Sequence, residues 1–354
     1  MKKLLSVLCA FTVSMTLLYG QAVITVQSGS VSTFYTNLDS AVNNAPGGST
    51  IYLPGGTFTP AGNALLISKP LNIIGAGHYP DSSLATGVTI LNGHFYLLSG
   101  ADGGSLQGVR VNNHVFFGQN AANCVINGYQ FSRCYFNGPF LMVFDTYYYN
   151  PTSQNILLSE NVFKDWIHVG QVKNVLFSQN IFTSYVSITN GQVVFRNNIF
   201  LLDAQSPCPS TQLFHEIHGA TFYDNIFNNN GCYGLVAGGF TGNSFYNNIF
   251  SSALTALPGN SIGTNNLFGV PVDSIYVSHT YQTFDYNNDY RLKANCVGKN
   301  AGSDSTDIGL YGTAYPYKPA AVQINPHIIS RSVAPSTDAQ GHLPVNIKVS
   351  AQDR

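Results

Sequence analysis

The chain has 354 residues, a formal net charge of −1, 9% charged residues and 13% aromatic residues. Its 34 Gly and 36 Asn residues disfavour long helices, and its aromatic content and low charge exclude a disordered or coiled-coil chain. We therefore expect a β-rich protein with a buried core. Because the net charge is slightly negative, a broad basic surface for nucleic acid is excluded.

The N-terminal segment is typical of a secretory signal peptide. Lys2 and Lys3 precede an apolar run over residues 4–18, and residues 20–22 offer a cleavage region. We expect residues 1–21 to be removed and the mature protein to be secreted or held at the cell surface. No later stretch has the ~20 apolar residues of a spanning helix, so no membrane span is expected.

One short amphipathic helix is expected close to the mature N-terminus. Thr36 can cap this helix, and residues 46–48 (Pro-Gly-Gly) end it. The apolar residues with helical spacing are Leu38, Ala41, Val42 and Ala45. A helix at this place can cover the open end of a solenoid.

A six-residue motif recurs seven times at uneven intervals in the middle of the chain. Its copies are residues 131–136, 158–163, 177–182, 195–200, 222–227, 245–250 and 263–268. Apolar and polar residues alternate around each copy, which predicts short, half-buried strands. Uneven intervals around a constant motif are typical of a solenoid whose coils differ in loop length.

The fourth position of this motif is Asn in six copies and Cys134 in the first. The Asn residues are Asn161, Asn180, Asn198, Asn225, Asn248 and Asn266. Amides one coil apart, at ~4.8 Å, can hydrogen-bond along the axis, so we predict a buried Asn ladder beside stacked Phe rings. Asn also tolerates the left-handed backbone conformation of a tight bend. Cys134 is expected to be a buried free thiol.

These features resemble the right-handed parallel β-helix of the pectate-lyase-like superfamily. Residues 51–56 and 71–77 are similar to the opening coils of its secreted members, and residues 289–293 and 300–312 to their terminal coil. The resemblance implies an all-β solenoid over residues 22–312, with a short N-terminal capping helix. It implies no single activity, because the superfamily includes lyases, hydrolases, epimerases and members without known chemistry.

Residues 313–354 form a polar tail. Its prolines are Pro316, Pro319, Pro326, Pro335 and Pro344. Residues 345–350 alternate between apolar and polar, which predicts one strand. The tail can cover the last coil or bind a partner. We favour the cover, because an uncovered last coil is an open sheet edge.

Polar and aromatic residues before the repeated strands predict an exposed groove for a glycan. If alternate residues face outward, Ser187 lines up with Asp145, His168 and either His215 or Glu216 on successive coils. Three neighbouring tyrosines can stack on sugar rings, and Trp166 is either a core residue or part of this surface. The predicted substrate-binding residues are Asp145, Tyr147, Tyr148, Tyr149, His168, His215 and Glu216.

The usual residue sets of polysaccharide-cleaving enzymes are not found. Asp145 and Glu216 lie three coils apart, ~14 Å, whereas paired glycosidase carboxylates lie ~5 to 9.5 Å apart. The carboxylates are too scattered for calcium, and residues 215–218 (His-Glu-Ile-His) have the wrong spacing for a zinc protease, so no metal or cofactor is expected. A metal-independent elimination by His168 or by one of Tyr147, Tyr148 and Tyr149, with Lys164 near a uronate, is an open alternative.

Two side-chain pairs are expected between neighbouring coils. Cys208 and Cys232 each follow a motif copy by a short turn, which predicts a disulfide in an exported protein. Arg133 and Glu160 share one motif position on adjacent coils, which predicts a surface ion pair worth ~0 to 1 kcal/mol.

The sequence therefore predicts an exported, monomeric β-helix that engages an extracellular polysaccharide or cell-surface glycan along one exposed sheet, with catalysis undecided. One alternative is a non-catalytic surface or matrix structural protein. The other is a metal-independent polysaccharide lyase.

Overall fold

A computed structural model describes residues 23–80, 86–118, 124–142, 153–201, 213–228, 239–254, 256–257, 259–280, 283–318 and 326–351. Within these ranges the side chains of residues 171, 190 and 215 are not described. The protein is all-β, with mostly parallel strands in stacked sheets, an arrangement consistent with a β-helix-like solenoid. In the same ranges, no helix has the length and apolar character needed to cross a membrane.

The helix near the N-terminus is α1 (Leu38–Asn44), and its inward residues Leu38, Ala41 and Val42 are buried as predicted. Its N-cap is Asn37 and not Thr36, because the Asn37 side-chain oxygen accepts a hydrogen bond from the Ser40 amide at 2.9 Å. Two single 3-10 turns are described in addition, at Ala61–Asn63 and Val272–Ser274.

The parallel strands form three columns, and each full coil adds one strand to each column. Column 1 follows the antiparallel pair β1 (Ile24–Ser28) and β2 (Val31–Tyr35), and β1 pairs with its first strand. The strands of column 1 are β3 (Thr50–Tyr52), β6 (Asn72–Ile74), β9 (Ser105–Gln107), β12 (Gln130–Ser132), β16 (Leu157–Ser159), the C-terminal parts of β18 (Ile167–Ser178) and β20 (Val186–Arg196), β23 (Thr221–Tyr223), β26 (Ser244–Tyr246) and β28 (Ile262–Thr264).

Column 2 comes next along each coil, and column 3 follows it. The strands of column 2 are β4 (Gly56–Phe58), β7 (Thr89–Leu91), β10 (Arg110–Val111), β13 (Tyr135–Phe136), β17 (Val162–Phe163), β19 (Ile181–Phe182), β21 (Ile199–Leu201), β24 (Ile226–Asn228) and β27 (Ile249–Phe250). The strands of column 3 are β5 (Ala64–Ile67), β8 (His94–Leu97), β11 (Val115–Phe117), β14 (Phe140–Leu141), the N-terminal parts of β18 and β20, β22 (Phe214–His218) and β25 (Phe240–Thr241). Between columns 3 and 1, β15 (Ser153–Gln154) also pairs with β18.

A tight bend joins column 1 to column 2, and its first residue is left-handed in each repeated coil. The residues with φ between 53° and 58° at this bend are Arg133, Glu160, Gln179, Asn197, Asp224, Asn247 and Asn265. The left-handed residue therefore precedes the repeated Asn, whereas the sequence suggested the Asn itself. This placement leaves the Asn side chain free to enter the core.

The predicted Asn ladder is confirmed, although its last member, Asn266, is half-buried and not buried. From Asn161 to Asn248, each Nδ2 donates to the Oδ1 of the next Asn at 2.9 or 3.0 Å, and to a backbone carbonyl at similar distance. The Cys134 amide donates to Asn161 Oδ1 at 2.9 Å, so the ladder begins beside a buried free thiol, as expected. Burial raises the pKa of this thiol to about 12.

Stacked Phe rings fill the interior next to this ladder. In column 1, Phe177, Phe195, Phe222 and Phe245 stack with centroids 4.5–4.9 Å apart. In column 2, five rings stack at 4.6–5.2 Å: Phe163, Phe182, Phe200, Phe227 and Phe250. The same repeated motif therefore supplies both the polar ladder and the apolar core.

The segment 270–317, described at residues 270–280 and 283–317, covers the outer face of column 2. Its strands β29 (Tyr276–Ser278) and β30 (Asp289–Leu292) are antiparallel, so residues 289–293 do not form the parallel terminal coil that the resemblance implied. A second apolar cluster joins this segment to the outward residues of column 2. Those outward residues include Val162, Ile181, Ile199, Ile226 and Ile249, and they are all buried.

The covering segment also binds the left-handed bends, running back towards the first coils. Ser303 binds Asp224, Gln179 Nε2 donates to the Leu310 carbonyl at 3.0 Å, and the Lys318 amide donates to Glu160 at 3.1 Å. In the Arg133–Glu160 ion pair, with N–O distances of 3.0 and 3.1 Å, Arg133 is consequently buried and Glu160 is half-buried. The prediction of a surface ion pair was wrong, because the covering segment shields most of the pair from water.

The last described residues form an antiparallel hairpin of β31 (His327–Val333) and β32 (Val345–Ser350). The predicted strand at residues 345–350 is thus confirmed. The tail does not start at the last coil, where we expected a cover. Instead, His327 and Ile328 line a cavity with Thr25 and Tyr52 of the first coils.

Candidate functional site

The outward residues of column 3 form a surface that we call the column 3 face. Its central row is set by strand register, since inward residues such as Phe95 and Ile188 alternate with outward ones. The central row contains Leu66, Tyr96, Phe116, Leu141, His168, Ser187 and Glu216. The predicted alignment of His168 with Ser187 is confirmed, and Glu216 rather than His215 continues the row because the register shifts at residue 215.

Aromatic rings occupy the first coils of the column 3 face. Tyr96 and Phe116 stack with centroids 4.8 Å apart and an interplanar angle of 12°. His114 stacks on Phe116 at 5.3 Å and lies 5.0 Å from His94 on the adjacent coil. Tyr96, Phe116 and His114 are nearly parallel, His94 is tilted by 46–54° to these rings, and all four rings are partly exposed. Because stacked rings cover each other's faces, they present a mainly apolar surface made largely of ring edges.

A second aromatic stack lies on the two coils in the middle of the face. Trp166 and Tyr185 are 5.7 Å apart with an interplanar angle of 5°, and both are partly exposed. Trp166 directly precedes the inward Ile167, so its ring is on the outer side of column 3. Of the two predicted alternatives, Trp166 is therefore a surface residue and not a core residue.

Hydrogen-bonding side chains occupy the later coils. His168 Nε2 and Thr189 Oγ1 are 3.2 Å apart. Glu216 Oε1 lies 3.4 Å from His218 Nε2, and His218 Nδ1 lies 2.7 Å from Thr241 Oγ1. Glu216 and His218 are two residues apart on a strand and thus share the face. The face changes from aromatic to polar along the solenoid axis.

Charges near the aromatic coils influence two ionisable rings. Burial lowers the pKa of His114, the neighbouring His94 lowers it further, and Asp165 opposes both effects. Burial also raises the pKa of Tyr185, and the charge of Asp165 adds to that shift. His114 is therefore held in its neutral form at neutral pH.

Several predicted residues lie outside the described part of the chain. They are Asp145, Tyr147, Tyr148, Tyr149, Cys208 and Cys232, together with the side chain of His215. In the register, Leu141 pairs with His168 at the place where we expected an acidic residue. Lys164 lies at the corner between columns 2 and 3, where its carbonyl accepts a hydrogen bond from Thr183 at 3.0 Å. The catalytic roles suggested for His168 and Lys164 stay predictions.

The sequence analysis missed the aromatic first coils. The predicted groove was derived from the six-residue motif, whose first copy begins at residue 131. The signal was nevertheless present: an aromatic ring follows a histidine by two residues at His94 and Tyr96, and again at His114 and Phe116.

The described residues contain no group of three or more His, Cys, Asp or Glu side chains that could hold a metal ion. Three comparisons, with protein-family models, with characterised proteins and with solved structures, find no match to this chain. The chemistry of the column 3 face must therefore be derived from its own residues.

Proposed function

We propose that this chain is an exported right-handed parallel β-helix of the pectate-lyase-like kind that binds an extracellular polysaccharide along the column 3 face. The observation that supports this function most strongly is the pair of aromatic stacks, Tyr96 with Phe116 and Trp166 with Tyr185, on one outer face. The C–H groups of a pyranose ring can pack against the exposed edges of these rings and against the outer face at the end of each stack.

The order of the coils also suits an extended glycan. Coils repeat every ~4.8 Å along the axis, so a chain that lies along the face meets a new side chain about once per sugar ring. The aromatic coils would contact the C–H groups of the sugar. The polar coils with His168, Glu216 and His218 would form hydrogen bonds with its hydroxyl groups.

Retention on immobilised polysaccharides tests this function. Purified protein is run by affinity electrophoresis through gels that contain cellulose derivatives, xylan, galactan, mannan or galacturonan. We expect retardation in at least one gel, with Trp166→Ala and Phe116→Ala each weakening binding about two- to tenfold. Matched controls are Tyr223→Ala and Tyr246→Ala, which remove a similar stack, with centroids 5.2 Å apart, from the outer face of column 1.

Two results would contradict the proposal. The first is equal migration of the wild-type protein in every gel, which would favour a structural protein without a glycan ligand. The second is equal loss of retention in the Tyr223 and Trp166 variants, because the polysaccharide would then not bind specifically at column 3. Absorbance of unsaturated uronates in the same incubations would instead indicate the lyase alternative.

A further inference from the structure

We infer that the polysaccharide recognised by the column 3 face is an uncharged one, and that polyuronates and other carboxylated glycans are disfavoured. This inference rests on the proposed function and specifies its ligand class. It follows from where the chain places its positive charges, and from the chemistry that an acidic sugar would meet on the face.

The face itself offers no cation of the Lys or Arg type. Among the described strand residues of column 3, Glu216 is the only Asp, Glu, Lys or Arg side chain. Directly before β18, Lys164 and Asp165 add one charge of each sign, and Asp165 is close enough to influence His114 and Tyr185. Lys173, in the middle of β18, is exposed on the sheet between columns 3 and 1. The central row of the face therefore carries a single fixed charge, the carboxylate of Glu216.

The segments that lie next to column 3 strands in the sequence add few positive charges. Residues 119–123, 143–152, 202–212 and 229–238 contain no Lys or Arg and include Asp145 and Asp203. Lys69, which follows β5, donates hydrogen bonds to the Asn43 and Ala45 carbonyls.

Most arginines in the coils are engaged elsewhere. Arg133 pairs with Glu160 beneath the covering segment, and Arg196 binds Asp304 at 3.0 Å on the same side. Arg110 lies over the Tyr135 ring, with its guanidinium carbon 5.1 Å from the ring centroid on column 2. These guanidinium groups bind the protein's own groups outside the column 3 face.

An acidic glycan needs the groups that this face lacks. Each uronate carries a carboxylate. Moving this carboxylate from water to aromatic rings without a cationic partner costs desolvation free energy that no new interaction compensates. Arg and Lys are the residues that recover this energy through charge-assisted hydrogen bonds. Hydroxyl groups, in contrast, can both donate to and accept from imidazole, Ser and Thr side chains, so an uncharged sugar loses little.

Matched polymers with one backbone separate charge from shape. Retention is compared between hydroxyethylcellulose and carboxymethylcellulose, and between fully methyl-esterified and de-esterified galacturonan. We expect binding to the uncharged member of any pair that binds to be at least about tenfold stronger. Raising the salt concentration should leave binding of the uncharged polymer unchanged. It should reduce the difference in affinity between the two polymers, because salt screens the repulsion between the carboxylates of the polymer and those of the protein.

A variant that supplies the missing cation sharpens this test. Leu66→Lys places an ammonium group on the face next to Tyr96 and disturbs no hydrogen bond, since Leu66 is an aliphatic residue with 40% exposure. We expect it to strengthen binding to the carboxylated polymer about two- to fivefold at low salt. The matched control is Ile262→Lys, at an exposed aliphatic position on column 1, and it should change neither polymer's binding.

The outcomes distinguish the inference from the function on which it rests. Retention by no polymer, charged or uncharged, contradicts the proposed function. Equal or stronger retention by the carboxylated members, lost in Trp166→Ala, keeps the binding face and overturns the inference. Stronger retention by the uncharged members, with the Leu66→Lys gain absent from Ile262→Lys, supports both.

Discussion

The outer faces of columns 2 and 3 differ although both belong to the same coils and cover the same core. Column 2 presents aliphatic residues such as Ile181, Ile199 and Ile226, and all of them are buried beneath the segment 270–317. Column 3 presents a mixture of aromatic, imidazole, aliphatic and hydroxyl groups, most of them partly exposed, although Ser187 is buried. The aliphatic face is covered by the protein's own chain, whereas the mixed face is left to solvent.

This difference indicates how the two faces are used. Aliphatic side chains gain stability only from being removed from water, so their face needs permanent cover. Aromatic rings with polar neighbours tolerate water and can exchange it for a ligand with the same mixed character. The column 3 face thus has a composition compatible with the proposed binding, and the column 2 face that of an internal interface.

A charge placed on each face gives the largest expected difference. Ile199→Asp buries a carboxylate without a partner under the covering segment, and we expect it to lower the free energy of unfolding by ~3 to 5 kcal/mol. Leu66→Asp, on the column 3 face, should change that energy by no more than ~0.5 kcal/mol. Urea unfolding of both variants measures the contrast, and equal losses would show that column 3 is also an internal interface.

The attachment of the covering segment should depend on pH through His78. Burial and, to a smaller extent, the charge of Arg110 lower the pKa of His78 from 6.5 to about 3, and its Nδ1 lies 3.1 Å from the Tyr286 hydroxyl. Between these two pKa values the unfolded chain binds more protons than the folded one, so stability falls as the pH is lowered through this window. The loss due to His78 should be on the order of 3 kcal/mol at about pH 4.

Urea midpoints between neutral and acidic pH check this effect. The His78→Gln variant should show a shallower loss of stability on acidification than the wild type. His342→Gln, which removes an exposed histidine of the hairpin, should follow the wild-type curve. Identical curves for His78→Gln and the wild type would mean that this histidine does not couple the segment to the coils.

The Asn ladder supports both faces, so weakening it should not discriminate between them. Asn198→Ala removes the acceptor of Asn180 and the donor to the Phe177 carbonyl, and we expect a loss of ~1 to 3 kcal/mol in the free energy of unfolding. Asn346→Ala, at an exposed position of the hairpin, is the matched control and should cost under ~0.5 kcal/mol. Similar values for the two variants would refute a structural role of the ladder.

The smallest effect on stability is expected on the column 3 face itself. Trp166→Ala removes one ring of a partly exposed stack and should lower the free energy of unfolding by only ~0.5 to 1.5 kcal/mol, while glycan retention falls. Thermal unfolding and affinity electrophoresis of the same sample give both values. A large stability loss without loss of retention would assign Trp166 to packing and not to binding.

The repeated coils could be predicted because their information is local. Alternating apolar residues indicate strands, and an Asn at one position of each motif copy indicates a ladder as soon as the coils are stacked. The alignment of His168, Ser187 and Glu216 followed from the same period of two. The bend was misplaced by one residue, because both the Asn and the residue before it are compatible with a left-handed conformation in several coils.

The identity of the covered face was decided only by the tertiary structure. Contacts that attach the segment 270–317 join Gln179 to Leu310, Asp224 to Ser303 and His78 to Tyr286, far apart in the chain. No periodic pattern encodes such pairs. Whether two distant residues meet depends on the course of the whole chain between them. The sequence alone thus determined the solenoid's repeating interior, and long-range packing determined which outer face became part of the core and which stayed partly exposed.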